Sequence, residues 1–468
     1  MKRIVLLSFL FFSTTLARSQ KNYLIEFGWD YPDVSELAAQ LPFWQQTPFD
    51  GICFSLQRTI MEAFDTTLHN DRYFELDRLR QLPWGRYTYN FVILRGFGVR
   101  GGCWYSDDRW RVFSANMERL SQSMNNRSVR GVLLDPEYYY EDQLYNPWTY
   151  SRQQYPTQTF EQVKEKVRQR GTQFMRALQR YKPDVQVLSI WFASLIAQEK
   201  KYTPLDKTRH ALLVPFLEGM LLGKGPLAKV IEGNEYAYWN TYPSEFYESK
   251  VLLRKAMSEL FETDQAKKLI NTVEISQPTF YDGLLAKAPS FERGVNPTGR
   301  WKWMEEATKH AIASSDNITW VYTERVNWWK KNVNDTFFAI NSGNKAALAS
   351  FGNSPRPDYQ FPGSRLLTNN VNSGLGYLYS NNSKTPLQTG GIAFTYNWNK
   401  AARSLSVQFN DSLPATLKIY GNNELLATVA PPTAVVTKIT LDKFTSGQLV
   451  ILAQYAYKTE AVAIHRYR

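Results

Sequence analysis

The chain has 468 residues, with 55 Lys and Arg against 43 Asp and Glu and a formal net charge of +12. Its basic residues are scattered and nowhere form a run of five or six, which argues against a nucleic-acid-binding arm. Only Cys53 and Cys103 are present, so no disulfide framework holds the fold, and one bridge or two free thiols both fit.

The first stretch, MKRIVLLSFLFFSTTLARSQ, has the form of a cleavable export signal over residues 1–19. Lys2 and Arg3 form the charged start, Ile4 to Phe12 the apolar core, and Ala17-Arg18-Ser19 a small-x-small cleavage site. The apolar run is too short for a stable membrane span, and no later stretch approaches the length needed. No cysteine follows the cleavage site, so no lipid anchor is expected. The expected product is secreted or periplasmic. Removal of the signal takes Lys2, Arg3 and Arg18 and no acid, lowering the net charge by three. The remaining excess suits an anionic glycan bearing uronate or sulfate, or simply a solubilising surface.

Short apolar runs then alternate with helical patterns. Strands are predicted at 23–29, 51–56, 87–94, 131–135, 185–192, 228–235, 270–277 and 318–324. The most regular helical face carries Phe160, Val163, Val167, Phe174, Leu178 and Tyr181, and Thr159 with Gln162 forms a capping box before it. Further helices are predicted over 34–45, 73–80, 113–124, 244–261, 301–314 and 334–350. Eight strands, each followed by a helix, match an α/β fold of the (β/α)8 TIM-barrel type over residues 20–351. A doubly wound open sheet is the alternative, although such sheets normally stop at five to seven strands.

Beyond residue 351 the character changes. GNSPRPDYQFPG at 352–363 reads as a linker, and 364–468 reads as an antiparallel β-sandwich with a hairpin turn at GNNE, 421–424.

In a (β/α)8 barrel the active site lies at the carboxyl ends of the strands, so polar residues there carry weight. Asp30, Asp135 with Glu137, Glu235, Glu274 and Glu324 all fall near predicted strand ends. In RGVLLDPEYYY, 130–140, alternation puts Asp135 and Glu137 on one side, and Pro136 ends the ladder between them. The same Asp-Pro-Glu would also serve as a helix start, with Asp135 as cap. That reading leaves the other strand-end acids unexplained. Two carboxyl groups are what glycosidic cleavage needs, one to protonate the leaving oxygen and one to attack or to activate water. Tyrosines 138–140 stand close enough in sequence to hydrogen-bond either acid.

GVLLDPEYY resembles the fourth-strand signature of chitinase-like glycoside hydrolases, in which Asp-x-Glu-Tyr closes a hydrophobic strand of a (β/α)8 barrel. The resemblance, confined to residues 131–139, implies that Glu137 is the general acid and that Asp135 positions an acetamido group. The chain departs from that family at Leu133 and Arg130, where the family carries acids. A second resemblance is to α-galactosidase-like barrels, which pair a fourth-strand Asp nucleophile with a sixth-strand acid and often add a β-sandwich. By position it implies these roles for Asp135 and Glu235.

Aromatic side chains beside strand ends offer flat faces for sugars. Trp29, Trp104, Trp191, Tyr236, Trp239, Trp328 and Trp329 occupy such places, although tryptophans in a large protein are commonly core. The substrate-contact set is therefore Asp30, Trp29, Asn90, Trp191, Tyr236, Trp239, Glu324 and Trp329.

Other signals are weaker. Gly96-x-Gly98-x-x-Gly101 follows a strand but opens no helix, and reads as a flexible loop of the site. His69, His210, His310 and His465 are isolated, so no zinc site is expected, and Asp107 with Asp108 lacks a calcium spacing. No Gly-x-Ser-x-Gly elbow is present. No cofactor and no metal are called for. The expectation is an exported glycoside hydrolase acting on a carbohydrate. A non-catalytic glycan-binding or surface-assembly protein, and more distantly a polysaccharide lyase, are the alternatives. Sugar, linkage and oligomeric state stay open.

Overall fold

The computed structural model describes residues 22–45, 47, 49–57, 61–96, 103–139, 146–240, 243–280, 307–308, 310–312, 314–324 and 328–329, with strand segments between 373 and 467. The expected export signal, the 352–363 linker and the helix expected over 334–350 lie outside the described residues.

The strands in chain order are β1 (Tyr23–Gly28), β2 (Gly51–Phe54), the two-residue β3 (Met61–Glu62), β4 (Asn90–Arg95), β5 (Val129–Asp135), β6 (Gln186–Ser189), β7 (Lys229–Glu232), β8 (Val273–Ile275), β9 (Gln277–Phe280) and β10 (Ile318–Thr323). Their order in the sheet is β8-β7-β6-β5-β4-β2-β1-β10-β9, with β3 attached beside β4. All pairs are parallel.

β8 and β9 are two halves of one stave, broken at Ser276. The first half pairs with β7 and the second with β10. Ser276 bridges them, donating its N–H to Glu232 O at 2.9 Å and its hydroxyl to Ile318 O at 2.7 Å. Eight staves thus form a nearly closed ring, and the open doubly wound alternative falls away. The strands are apolar along their length because one side meets helices and the other a packed interior, as Val132, Leu133 and Leu134 illustrate.

The surrounding helices are α1 (Val34–Trp44), α2 (Leu76–Gln81), α3 (Asp107–Ser123), α4 (Phe160–Leu178), α5 (Ala193–Glu199), α6 (Leu213–Gly223), α7 (Pro243–Leu260) and α8 (Asp264–Leu269). The capping box expected at Thr159 and Gln162 is formed, with reciprocal bonds of 2.8 and 3.3 Å. α6 escapes sequence prediction because it is buried on every side from Leu213 to Leu221 and so shows no amphipathic stripe. It lies against α4 at Gly171 and Gly219, where an added Cβ would come within 2.2 Å of Phe216 O or 2.0 Å of Arg168 O. Beside that crossing, Arg168 binds fully buried Glu218 through Nε and Nη2 at 2.9 and 2.8 Å.

The C-terminal part forms two antiparallel sheets, a TIM barrel thus being followed by a sandwich-like pair. One contains β11 (Ser373–Leu375), β13 (Ile392–Trp398), β14 (Arg403–Phe409) and β17 (Val436–Thr440). The other contains β12 (Tyr377–Tyr379), β19 (Glu460–Tyr467), β18 (Gly447–Gln454), β15 (Thr416–Gly421) and β16 (Glu424–Val429). The turn between β15 and β16 is the expected hairpin, with Asn422 at a left-handed φ of 50°. The second sheet meets α7, where Tyr247 and Val251 pack on Tyr420, Val450 and Leu452. Glu248 there accepts from the Tyr420 hydroxyl at 3.2 Å and pairs with Lys418. Among the described residues no helix is long and apolar enough to cross a membrane.

Candidate active site

At the carboxyl end of the barrel, a cleft of about 460 Å³ is lined by Asp135, Glu137 and Glu235 together with Arg95, Trp29 and Tyr322.

Asp135 is the last residue of β5 and is 7% exposed. The described residues 136–139 after it form no helix. Its Oδ1 instead accepts the Glu137 N–H at 3.0 Å, closing a small turn around Pro136 that sets the direction of the Glu137 side chain. The Pro136 carbonyl accepts from Trp148 Nε1 at 2.8 Å, which ties this turn to the barrel's aromatic packing. Of the three consecutive tyrosines, Tyr139 donates its hydroxyl to Glu137 Oε2.

Glu235 comes from the turn after β7. Asn234 before it takes a left-handed φ of 53°, a conformation asparagine tolerates better than most residues. The Glu235 N–H then donates to Ile190 O at 3.0 Å. Beneath this turn, fully buried Glu232 accepts from the N–H groups of Ala193 at 2.8 Å, Phe192 at 3.1 Å, Ser194 at 3.2 Å and Asn234 at 3.0 Å. The Ser194 hydroxyl adds a bond of 2.9 Å. One carboxylate therefore fastens the chain after β6 to the chain after β7, and so holds Trp191 beside Glu235.

The three acids of the cleft are coupled. Burial pushes Glu137 up to about 9, helped by the charges of Asp135 and Glu235. Glu235 rises to about 8, chiefly by burial and then by Asp135, against a hydrogen bond from Trp191. Asp135 rises only to about 6, because the Glu137 N–H and the Arg95 charge oppose its burial. The three acids therefore titrate as one unit, in which Glu137 is raised most and Asp135 least.

An aromatic wall flanks the acids. Trp29 is 56% exposed and donates Nε1–H to the Tyr322 hydroxyl at 2.7 Å. Tyr322 stacks on Tyr238, with centroids 5.9 Å apart, and Trp239 packs edge-on against Phe280 at 5.1 Å while remaining exposed. Glu324 is an exposed residue just past β10, close enough for its charge to act on Tyr322 and Tyr238.

Several expected residues are not brought to the cleft. Asn90 is fully buried at the opposite end of β4, bonding Ile52 N–H at 2.9 Å and Ser128 O at 3.0 Å. Trp329 packs outside the ring on Trp44 at 4.8 Å, Trp104 lies in a core cluster with Phe64, and Trp328 meets Phe49 edge-on. Trp191, by contrast, does reach the site: it is buried and hydrogen-bonds Glu235. Asp30 accepts the Trp328 N–H at 2.7 Å, and its charge adds to the burial that pushes Glu26 well up. Tyr236 lies in a neighbouring groove. Glu274, expected at a strand end, instead sits near the start of its stave, which runs on to Phe280, and pairs with Lys229 at 2.6 Å. Cys53 is a free buried thiol in the core. Among the described residues no cluster of three metal-ligating side chains occurs.

Arg95, Tyr322 and Glu232 are missed by sequence reasoning. Arg95 ends a strand, so the rule that selects strand-end acids finds it when extended to cations. Glu232 is hidden inside the run AKVIEGNE, which reads as uninterrupted strand.

No protein-family model matches the sequence, and no curated protein matches it. Among solved structures, the chain is similar to a glycoside hydrolase family 5 enzyme from Prevotella bryantii B14. The identity is 11% over 71% of this chain and 96% of that one, at a TM-score of 0.37. It is also similar to a modular endo-β-1,4-mannanase of family 26 from Cellulomonas fimi, with 9% identity over 95% and 94% of the two chains and a TM-score of 0.33. A family 30 subfamily 8 xylanase from Clostridium acetobutylicum gives 9%, 96% and 98%, and 0.34. The barrel assignment itself rests on the strand order and the parallel register.

Proposed function

We propose that the chain is an exported glycoside hydrolase that cleaves glycosidic bonds of an oligo- or polysaccharide. The supporting observation is the acid trio at the carboxyl end of the barrel, where Asp135, Glu137 and Glu235 line one cleft with Arg95. Export rests on the leader-like residues 1–19.

In this mechanism a sugar lies against Trp29 with its glycosidic oxygen at Glu137. Glu137 gives its proton to the leaving oxygen, and the bond to the anomeric carbon breaks. The Asp135 carboxylate attacks that carbon or takes a proton from an attacking water, and Arg95 helps keep Asp135 ionised. Glu235, neutral at this stage, avoids adding a second negative charge beside the nucleophile.

Reducing-end release from neutral, amino and acidic polysaccharides tests the reading, with Glu137→Gln as control. The wild type should release ends and the variant should lose activity by ~10²–10⁴-fold while still binding. Binding without release by either would leave a glycan-binding protein in place of an enzyme.

A further inference from the structure

Beside the acid cleft lies a second, larger groove of about 1240 Å³ between α5 and α7. We infer that this groove is a subsite for a carboxylate- or sulfate-bearing sugar of the glycan, held by Lys200, Lys201 and Lys255.

The turn Glu235–Trp239 connects the two spaces, because Glu235 lines the acid cleft and the adjacent, half-exposed Tyr236 lines the groove. Lys200 and Lys201 enter from the end of α5, and Lys255 from α7 opposite. Their charges are weakly compensated. Among the described residues no carboxylate forms an ion pair with Lys200 or Lys201, and Lys201 instead binds the neutral Gln198 Oε1 at 2.7 Å. Lys255 reaches Glu259 only at 3.9 Å, with both side chains largely in water. Among the described residues Glu259 is the one acid lining the groove; Glu199, whose charge reaches Tyr236, is paired with His210 at 2.7 Å. Asn240 and Gln198 add hydrogen-bonding groups, and Tyr236 a ring face, for the sugar itself.

The placement also answers a difficulty of the acid cleft. An anionic sugar seated directly on Asp135 would be repelled there, whereas a sugar further along the chain can place its charge on the lysines and leave the scissile unit at the acids. A flexible polyanion of another class lacks the regular spacing between ring and charge that joins the two spaces.

The inference rests on the glycan-cleaving reading for the substrate's path, and its test is binding, which needs no turnover. Calorimetry on Glu137→Gln protein compares an oligogalacturonate, a carrageenan oligosaccharide that carries sulfate and no carboxylate, a neutral manno-oligosaccharide of equal length and poly-glutamate. The expected result is that one anionic sugar binds at least ~10-fold tighter than the neutral one, with an affinity that falls as salt is raised. Replacing Lys200, Lys201 and Lys255 by Ala in that background should remove this preference; all three are exposed, and the fold is checked by circular dichroism. Preference for the carboxylate or the sulfate arm identifies the anion. Equal binding of neutral and anionic sugars, no binding of either anionic sugar, equal binding of poly-glutamate, or a preference unchanged in the triple variant overturns the inference. Anionic binding without hydrolysis by wild type leaves the groove standing and removes the hydrolase reading. Hydrolysis of a neutral glycan with no anion preference does the reverse.

Discussion

Glu137→Gln should change stability in a pH-dependent way that requires no knowledge of the substrate. The folded protein lifts Glu137 from 4.5 to about 9, so the native state holds this proton more tightly than the unfolded chain does. The contribution to stability is then complete below pH 4.5 and is lost progressively as pH rises toward 9, where the folded state must also ionise. Glutamine reproduces the neutral acid, keeps an oxygen for the Tyr139 hydroxyl, and never ionises. At ~1.4 kcal/mol per pKa unit, the three units between 4.5 and pH 7.5 set a ceiling of about 4 kcal/mol. Part of that ceiling belongs to the coupling with Asp135 and Glu235, and solvent reaches the side chain, so about 1–2 kcal/mol is expected. Urea melts followed by tryptophan fluorescence at pH 5 and pH 7.5 make the comparison. The variant should match wild type at the lower pH and exceed it at the higher. Equal stability of the two proteins at both pH values would show that Glu137 is not held protonated by its surroundings, and the acid role would go with it.

Two further outcomes follow from the same geometry. The pH–rate profile of kcat/KM should be bell-shaped, rising as Asp135 ionises near 6 and falling as the trio loses its protons near 8 to 9; Asp135→Asn should abolish the acid limb together with ~10³-fold or more of the activity. Glu232→Gln turns an amide toward backbone N–H donors that now meet a carboxylate, so it should cost about 1–3 kcal/mol in a denaturant melt. It should also lower kcat more than it raises KM, because Glu235 loses its fixed turn; unchanged kcat with lowered stability would reduce Glu232 to a structural role.

Local chemistry made much of this protein legible in one dimension. The eight staves, the capping box at Thr159 and the GNNE hairpin follow from hydrophobic runs, side-chain hydrogen bonding and turn conformation, all of which act within a few residues. The rule that a barrel presents its strand ends to one mouth also picks out Asp135, Glu137 and Glu235, which line one cleft. Long-range packing decided the rest. α6 is buried all round and has no periodic signature, and the seventh stave runs past Ser276 because its two halves need different neighbours. Asn90 and Glu235 look alike as polar residues near strands, yet register puts one at the base of β4 and the other at the mouth. The order in which the three acids hold their protons is likewise a product of burial and mutual charge. Those terms depend on separations between residues a hundred positions apart, which no stretch of sequence contains.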